Sequence, residues 1–480
     1  MVPVVDANVV GAGPNGLAAA LTLAKAGLEV VLTEAADVVG GGLQTRELTG
    51  PGYLHDVCSA VHPAALASPF FQAWGLKRRV DFVIPEASYA HPLDGGRAGI
   101  AWHSLDRTVD GLGPDGRAWR RFFAPLIKRI DGIVDFTGSQ LLRVPDSIPA
   151  AVLYGLRTLE QGTSASWNRR FSSEAASAML TGVAAHTNHS QPSLTTSGAG
   201  ILLAAHAHAG GWAVPLGGSQ AIADAMAADF EAMGGRIRLG TTVTSAKDLE
   251  PSKITLLDTT PRMLARFTDL PAKYARALAR FRYGQAAAKV DFALSGPVPW
   301  SNAQVALSPT VHVGGSRQEI VAAEHAVARG RVHEKPYVLA VQPSVVDPSR
   351  APEGHHVLWT YTHVPNGSTA DVTESVIRQI ERFAPGFRDL IVASNTMSTS
   401  DFEAHNANYI GGDIFSGALD LLQLVKRPVI SRTPWRTPVD GLYLCSAATA
   451  PGPAVHGMNG WYAADLALRE HFGMRAPYRN

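Results

Sequence analysis

The chain has 480 residues, of which 46% are hydrophobic and 17% charged, and its formal net charge is +1. That length exceeds what one hydrophobic core usually fills, so two or more globular domains are expected. The balanced charge gives no reason to expect nucleic acid as a partner, and two cysteines far apart, Cys58 and Cys445, argue against a disulfide scaffold or a C-x-x-C relay.

The chain opens on an apolar run, Ala7-Asn8-Val9-Val10, that reads as a strand. No basic stretch followed by an apolar one precedes it, so a secretory signal is not expected. The strand leads into Gly11-Ala12-Gly13-Pro14-Asn15-Gly16, then a small-residue helix pattern, then a second apolar run ending at Glu34. Strand, glycine turn, helix, strand and acid in that order build a dinucleotide site. Gly11 allows the sharp turn, Gly13 brings backbone to a pyrophosphate without a Cβ in the way, and Gly16 lets the helix pack close to the sheet. Pro14 suits the first helical position, and the helix start offers N–H groups and a positive dipole end to phosphate. Glu34 lies close to the roughly 20-residue spacing at which an acid accepts bonds from ribose hydroxyls. An acid there suits NAD or FAD rather than a 2′-phosphate, and does not separate those two.

A second glycine cluster, Gly40-Gly41-Gly42-Leu43-Gln44-Thr45, permits another close backbone approach. From about Ala64 to Ala207 the pattern turns helical, with stretches such as Ala118–Val134 and Ser172–Ala184 between Pro-rich joints. The run Phe70-Phe71-Gln72-Ala73-Trp74 reads as core or as a pocket wall. Pro215–Gln220 leads an amphipathic helix over Ala221–Met233, which Gly234-Gly235 ends, and strands are expected at Arg236–Leu239, Thr241–Thr244 and Lys253–Thr259. Between about Ala286 and Asp420, strands at Ala288–Leu294, Tyr337–Gln342 and Val357–His363 alternate with a helix at Asp371–Arg382. A strand at Gly441–Cys445, a Pro/Gly loop and a helix over about Gly460–Phe472 close the chain. No apolar stretch reaches the ~18 residues of a spanning helix; Gly198–Val214 comes closest, and His206, His208 and a glycine pair break it. Two kinds of pattern are thus interleaved, which predicts two domains joined by several crossings with a cleft between them.

With these residues in place, the chain resembles flavoproteins of the amine-oxidase and phytoene-desaturase superfamily, and the bacterial phytoene-dehydrogenase-like proteins most of all. Three motifs carry the resemblance: Gly11–Gly16 with Glu34, the Gly40–Thr45 element, and Gly441–Gly452 running on to Val455-His456-Gly457-Met458-Asn459-Gly460. The resemblance implies an α/β fold with a Rossmann-like FAD-binding domain of the glutathione-reductase and amine-oxidase type, built from residues 1–65, 211–285 and 425–480. An α+β substrate domain, residues 66–210 and 286–424, is interleaved with it. FAD is the implied cofactor. Gly11, Gly13, Pro14, Asn15 and Gly16 are implied at the pyrophosphate, and Glu34 with Ala35 at the adenosine ribose. Gly41, Gly42 and Leu43 follow the pyrophosphate and ribityl chain, and the Val243 backbone meets the adenine. The C-terminal loop, with Ala448, Val455, His456, Gly457 and Met458, is implied to close over the flavin. One departure stands out: relatives often have an acid soon after the C-terminal strand, where Ser446-Ala447-Ala448 offers none.

Hydride transfer to flavin N5 needs a C–H bond held over the ring and sometimes a base. His456, His55 and His62 are the candidates, with capping or core hydrogen bonding as the plainer role for each. His186 and His189 lie on an expected domain crossing. His206 and His208 lack a third ligand, so no metal is expected. Trp461 and Tyr462, at the start of the last helix, wall the flavin site or simply pack. No second G-x-G-x-x-G follows a strand, so a separate NADPH domain is not expected, and the electron acceptor stays open among oxygen, a quinone and NAD(P). The leading reading is an FAD-dependent dehydrogenase or desaturase; the resemblance alone implies a small apolar, isoprenoid-like substrate. Amine oxidation, with Trp461 or Tyr462 in an aromatic cage, is one alternative. A redox-neutral isomerase and a non-catalytic flavin-containing interaction protein are others. The expected location is the cytoplasm, with peripheral membrane contact left open.

Overall fold

Two sheets organise the chain, and each draws its strands from separate stretches of sequence. The computed structural model describes residues 5–167 and 169–478; residues 1–4 and 479–480, at the ends of the expected FAD-domain segments, lie outside the described residues, as does Asn168. In chain order the strands of the two sheets are β1 (Val5–Val10), β2 (Val30–Thr33), β3 (Ala87–Leu93), β4 (Arg97–Trp102), β5 (Arg236–Arg238), β6 (Ser252–Leu257), β7 (Ala286–Leu294), β8 (Thr310–Val313), β9 (Val338–Val341), β10 (His356–Val364), β11 (Ile391–Met397) and β12 (Leu442–Leu444). The helices that bear on the site are α1 (Pro14–Lys25), α2 (Ile130–Thr137), α3 (Ile148–Gly162), α4 (Leu194–Ala209), α5 (Gln220–Ala232), α6 (Pro261–Phe267) and α7 (Met458–Phe472).

The first sheet is parallel throughout, in the order β12-β6-β1-β2-β5. Val9 stands in register between Leu256 and Leu32. β1 is buried on both faces, as a parallel strand covered by helices must be. α1 packs against α5 and α7, and a Cβ on Gly460 of α7 would stand 1.8 Å from the Asn15 carbonyl oxygen. Only glycine lets those helices come so close. This is the Rossmann-like arrangement, and ligands bind it beyond the carboxyl ends of the strands.

The second sheet runs β11-β7-β10-β9-β8-β3-β4, antiparallel except for the β8–β3 pair. Its strands come from residues 87–102 and 286–397, whereas those of the first come from 5–33, 236–257 and 442–444. Phe82–Val83 pairs with Val214–Pro215 and joins the two stretches. A cluster of Ala60, Leu339, Trp359, Tyr361, Phe402 and Tyr409 fills part of the junction between the sheets.

Two local readings change. Thr241–Thr244 is not a strand. The Gly240 N–H donates to Ala36 O and the Thr241 N–H to Glu34 O, so the chain crosses over the end of β2 and leaves the sheet. The stretch Ala118–Val134 is two helices, Gly116–Ile127 and α2, separated where Arg129 leaves helical geometry (φ −119, ψ 20). No helix among the described residues is long and apolar enough to cross a membrane.

Candidate active site

A cavity of about 1550 Å³ runs from the glycine turn, past the junction of the sheets, to α2, α3 and α4. It exceeds the roughly 300–1,000 Å³ of a pocket for one drug-sized ligand, so a dinucleotide and a substrate both have room.

At the first end, backbone shapes the wall. Gly11 adopts φ +97, and a Cβ on Gly16 would stand 1.9 Å from the Gly11 carbonyl oxygen, so the turn closes only with glycine there. Gly13, the residue before α1, caps it with no side chain, and the helix start points its N–H groups at the cavity end. At the end of β2, Glu34 accepts from the Ala12 N–H at 2.6 Å and from the Ala36 N–H at 2.9 Å. Both carboxylate oxygens are thereby fixed, with lone pairs left for ribose hydroxyls. Gly41 and Gly42 form the opposite rim; a Cβ on Gly42 would stand 2.6 Å from the Tyr409 hydroxyl. A smooth glycine cradle, a fixed acid and a helix start without a side-chain cap fit FAD.

The middle of the wall is the segment Cys58–His62 with Trp359, Tyr361 and Tyr409. Cys58 is half-buried in this wall, and burial pushes its thiol up to about 12. The Ser219 hydroxyl donates to Ser59 O at 2.6 Å, so it accepts from His62 Nε2 at 2.8 Å, which leaves Nδ1 as the basic nitrogen of His62. Burial drives that ring down to about 4, so it is neutral at pH 7. Behind the wall, Lys289 Nζ pairs with Asp291, whose other oxygen lies 3.5 Å from His55 Nδ1, and all three side chains are wholly buried. Asp56 accepts from Arg350 at 2.7 Å and from the Ser219 N–H at 2.8 Å, tying the two sheet systems together. Burial alone would raise the Asp56 pKa; the Arg350 charge and hydrogen bond overcome that and lower it.

The far end is apolar: Leu141, Leu159, Leu202, Leu203, Leu424 and Val425 are in its wall. His186 and His206 also line it, and burial drives them down to about 3 and about 4. His186 Nε2 lies 2.8 Å from His312 Nε2, a hydrogen bond between two neutral imidazoles. The charged side chains of the cavity wall are Glu34, Asp258, Arg262, Arg266 and Glu403, all on segments that adjoin the glycine turn.

Of the residues expected at the cofactor, Gly11, Gly13, Pro14, Asn15, Glu34, Ala35, Gly41, Gly42, Val243 and Val455 line the cavity. Gly16, Leu43, Ala448, His456, Gly457 and Met458 stand behind that lining. Of the three candidate histidines, His62 alone is in the wall. His55 is turned to Asp291, with Nε2 2.8 Å from Thr49 Oγ1, and His456 Nδ1 accepts from the Met458 N–H at 3.1 Å at the start of α7. Trp461 donates to Pro477 O and Tyr462 stacks on Trp435, so both pack away from the cavity. No cluster among the described residues suits a metal ion. Sequence reading missed Lys289, Asp291 and Asp258. The signal for the first two is a pair of charges two apart, hence on one face, in the otherwise apolar run Ala286–Leu294.

Residues 15–467 match the profile of the flavin containing amine oxidoreductases. The chain is 25% identical over 557 aligned positions to pyridine nucleotide-disulfide oxidoreductase domain-containing protein 2 of Mus musculus, covering 98% of this chain and 94% of that one. It is 27% identical over 282 positions, 51% of each chain, to the phytoene desaturase (neurosporene-forming) of Rhodobacter capsulatus. Among solved structures, putrescine oxidase bound to putrescine shares 17% identity at a TM-score of 0.58, covering 97% of this chain and 98% of that one. Cyclohexylamine oxidase from Brevibacterium oxydans shares 16% at 0.57, covering 98% and 99%. At those identities the structures establish a shared fold.

Proposed function

The chain belongs to the flavin containing amine oxidoreductase family and is an FAD-dependent oxidoreductase; on that premise we propose that it is a dehydrogenase or desaturase of a neutral, apolar substrate, in the manner of the phytoene-dehydrogenase-like proteins. One observation carries this reading: beyond the segments that adjoin the glycine turn, the cavity wall contains no Asp, Glu, Lys or Arg among the described residues. A charged substrate would lose its hydration there with no partner. The histidines in that wall are neutral, so they offer hydrogen bonds without charge. The relationship to a phytoene desaturase over half the chain agrees with an isoprenoid-like substrate.

Bound FAD would accept the hydride. The chain's own share is to hold the cofactor through Glu34 and the glycine turn, to exclude water with the leucine wall, and to orient the substrate against the junction. We take His62, which lines the wall and whose Nδ1 lies 3.5 Å from Ser59 Oγ, as the candidate to accept a proton from the substrate side.

The apolar wall continues onto the surface. Among the described residues, nine of the fourteen exposed large hydrophobic side chains lie at 142–159 and 421–430, and Leu159 and Leu421 belong both to that surface and to the cavity. Ile148, Val152, Leu156 and Leu159 form a stripe along one face of α3. Lys426 and Arg432, flanking Ile430, make no ion pair among the described residues. An anionic lipid surface matches both the apolar face and the basic rim, and would deliver an apolar substrate at the mouth.

Amine oxidation is the second reading. Trp359 and Tyr361, 5.2 Å apart and at 89°, make an aromatic corner in the wall. The test is anaerobic mixing of the yellow holoprotein with detergent-dispersed polyenes and, separately, with primary amines. Bleaching by a polyene supports the proposal. Bleaching by amines alone overturns it, and so does polyene isomerisation without net bleaching.

A further inference from the structure

The acid that Ser446-Ala447-Ala448 fails to supply after β12 has a counterpart on the neighbouring strand: Asp258 follows β6, which lies between β12 and β1. Its Oδ2 accepts from the Gly16 N–H at 2.8 Å. That N–H belongs to the first turn of α1, so the carboxyl stands beside the remaining N–H groups with which this helix start meets a phosphate. A Cβ on Gly13 would stand 3.1 Å from the same oxygen, and a Cβ on Gly11 would stand 3.2 Å from the Asp258 Cβ. The carboxyl is therefore held inside the glycine turn. It lines the cavity, is only 8% exposed, and its other oxygen has no hydrogen-bond partner among the described residues.

The groups around it do not offset its charge. Glu34 faces it from the end of β2 and repels it. Tyr409 and Cys445 face it from the junction and the end of β12, and burial keeps both protonated. Asn408 donates through Nδ2 to the Asp258 carbonyl oxygen at 3.1 Å and accepts from the Thr260 N–H at 2.9 Å, and makes no hydrogen bond to the carboxyl among the described residues. Arg262 and Arg266 of α6 line the same cavity and make no hydrogen bond to it among the described residues. Burial, with Glu34 adding to it, already pushes the carboxyl up to about 7. A pyrophosphate at the same helix start brings further negative charge to this spot, and like charges at short range favour the neutral acid.

We propose that Asp258 is a pyrophosphate-positioning residue that holds FAD as the neutral acid, so that FAD binding at neutral and alkaline pH takes up one proton. The proton comes from solvent and settles on the free carboxyl oxygen. That oxygen changes from a repelling acceptor to a donor on the cavity side, while Oδ2 goes on accepting from Gly16. The proposal rests on the cofactor and is independent of what the enzyme oxidises.

The test is FAD rebinding to the stripped full-length protein, followed by flavin fluorescence from about pH 6 to about pH 9. The wild-type Kd should be flat below about 7 and rise roughly tenfold per pH unit above it. Asp258→Asn and Asp258→Ser should bind with a flat profile. Glu34→Gln should bind more weakly with the slope retained. In weakly buffered solution at about pH 8, a dye should record uptake approaching one proton per FAD in the wild type and none in the Asn variant. A flat wild-type profile, or an Asn variant with the wild-type slope, overturns the proposal. If neither variant folds, the wild-type slope and proton uptake decide alone.

Discussion

The glycine turn and the α3–α4 wall face one cavity and recognise their ligands by opposite means. At the turn, backbone N–H groups, missing Cβ atoms and a carboxylate fixed by two backbone N–H groups do the work. At α3 and α4, leucines and neutral histidines shape a dry surface with few directional contacts, and part of it opens onto the exterior. The first end can hold one cofactor in one pose. The second can exclude charge, but its specificity comes from shape. An enzyme so built keeps its redox chemistry constant while its substrate range can drift by changes of side-chain volume.

Substitutions should separate the two ends. The largest effect is expected for Gly16→Val, whose Cβ would meet the Gly11 carbonyl at 1.9 Å. It should cost about 3 kcal/mol or more and abolish flavin content, read by thermal melting and by absorbance of the purified protein. Lys289→Met, behind the junction, should cost about 3–5 kcal/mol by leaving Asp291 buried without its cation, and the double variant with Asp291→Leu should recover much of it. Acid tests the other buried pair. The folded Asp56 pKa is lowered, so its contribution is complete above about pH 4, the unfolded value, and is lost as pH falls through the lower folded value. Arg350→Met removes that lowering and should move the acid-unfolding midpoint upward.

Smaller and more selective is Glu34→Ala. It should weaken FAD by about 1.5–3 kcal/mol, and the stripped protein should still fold but melt somewhat lower, because the Ala12 and Ala36 N–H groups lose their acceptor. Unchanged flavin occupancy would refute the ribose role. The smallest effect on the fold is expected for Leu156→Asp, exposed on α3, at within about 0.5 kcal/mol. It should nonetheless abolish flotation with vesicles of mixed zwitterionic and anionic phospholipid. Equal flotation of wild type and variant would refute the lipid-facing surface, as would a wild type that dimerises and does not float.

The same contrast explains what was legible in the sequence. Gly11–Gly16 and Glu34 could be read because a tight turn and a helix start are local, and their glycines are obligatory. The Gly441–Gly460 stretch was legible only as strand, loop and helix: of the five residues expected over the flavin, Val455 lines the cavity and Ala448, His456, Gly457 and Met458 do not. Thr241–Thr244 looked like a strand from its β-branched residues, yet hydrogen bonds to Glu34 and Ala36 turn it across the sheet edge. His55 and His456 carried the right chemistry at the right place in the chain, but the side-chain direction was not legible: one turns to Asp291, the other to its own helix start. The apolar wall assembles Leu141, Leu203, Leu339 and Leu424 from four distant segments, and no local pattern ties them together. The outward stripe on α3 has the periodicity of a core-facing helix, and only the fold reveals that it faces outward.

The claim that one cavity divides into a cofactor end and an apolar end is tested most directly by measuring flavin content and anaerobic bleaching on the same preparations. Leu202→Glu places a charge in the apolar wall and nothing at the glycine turn. It should purify with full FAD, bleach with dithionite, and fail to bleach with the polyene that reduces the wild type. A Leu202→Glu protein that loses its FAD, or that the polyene bleaches at the wild-type rate, would contradict the division.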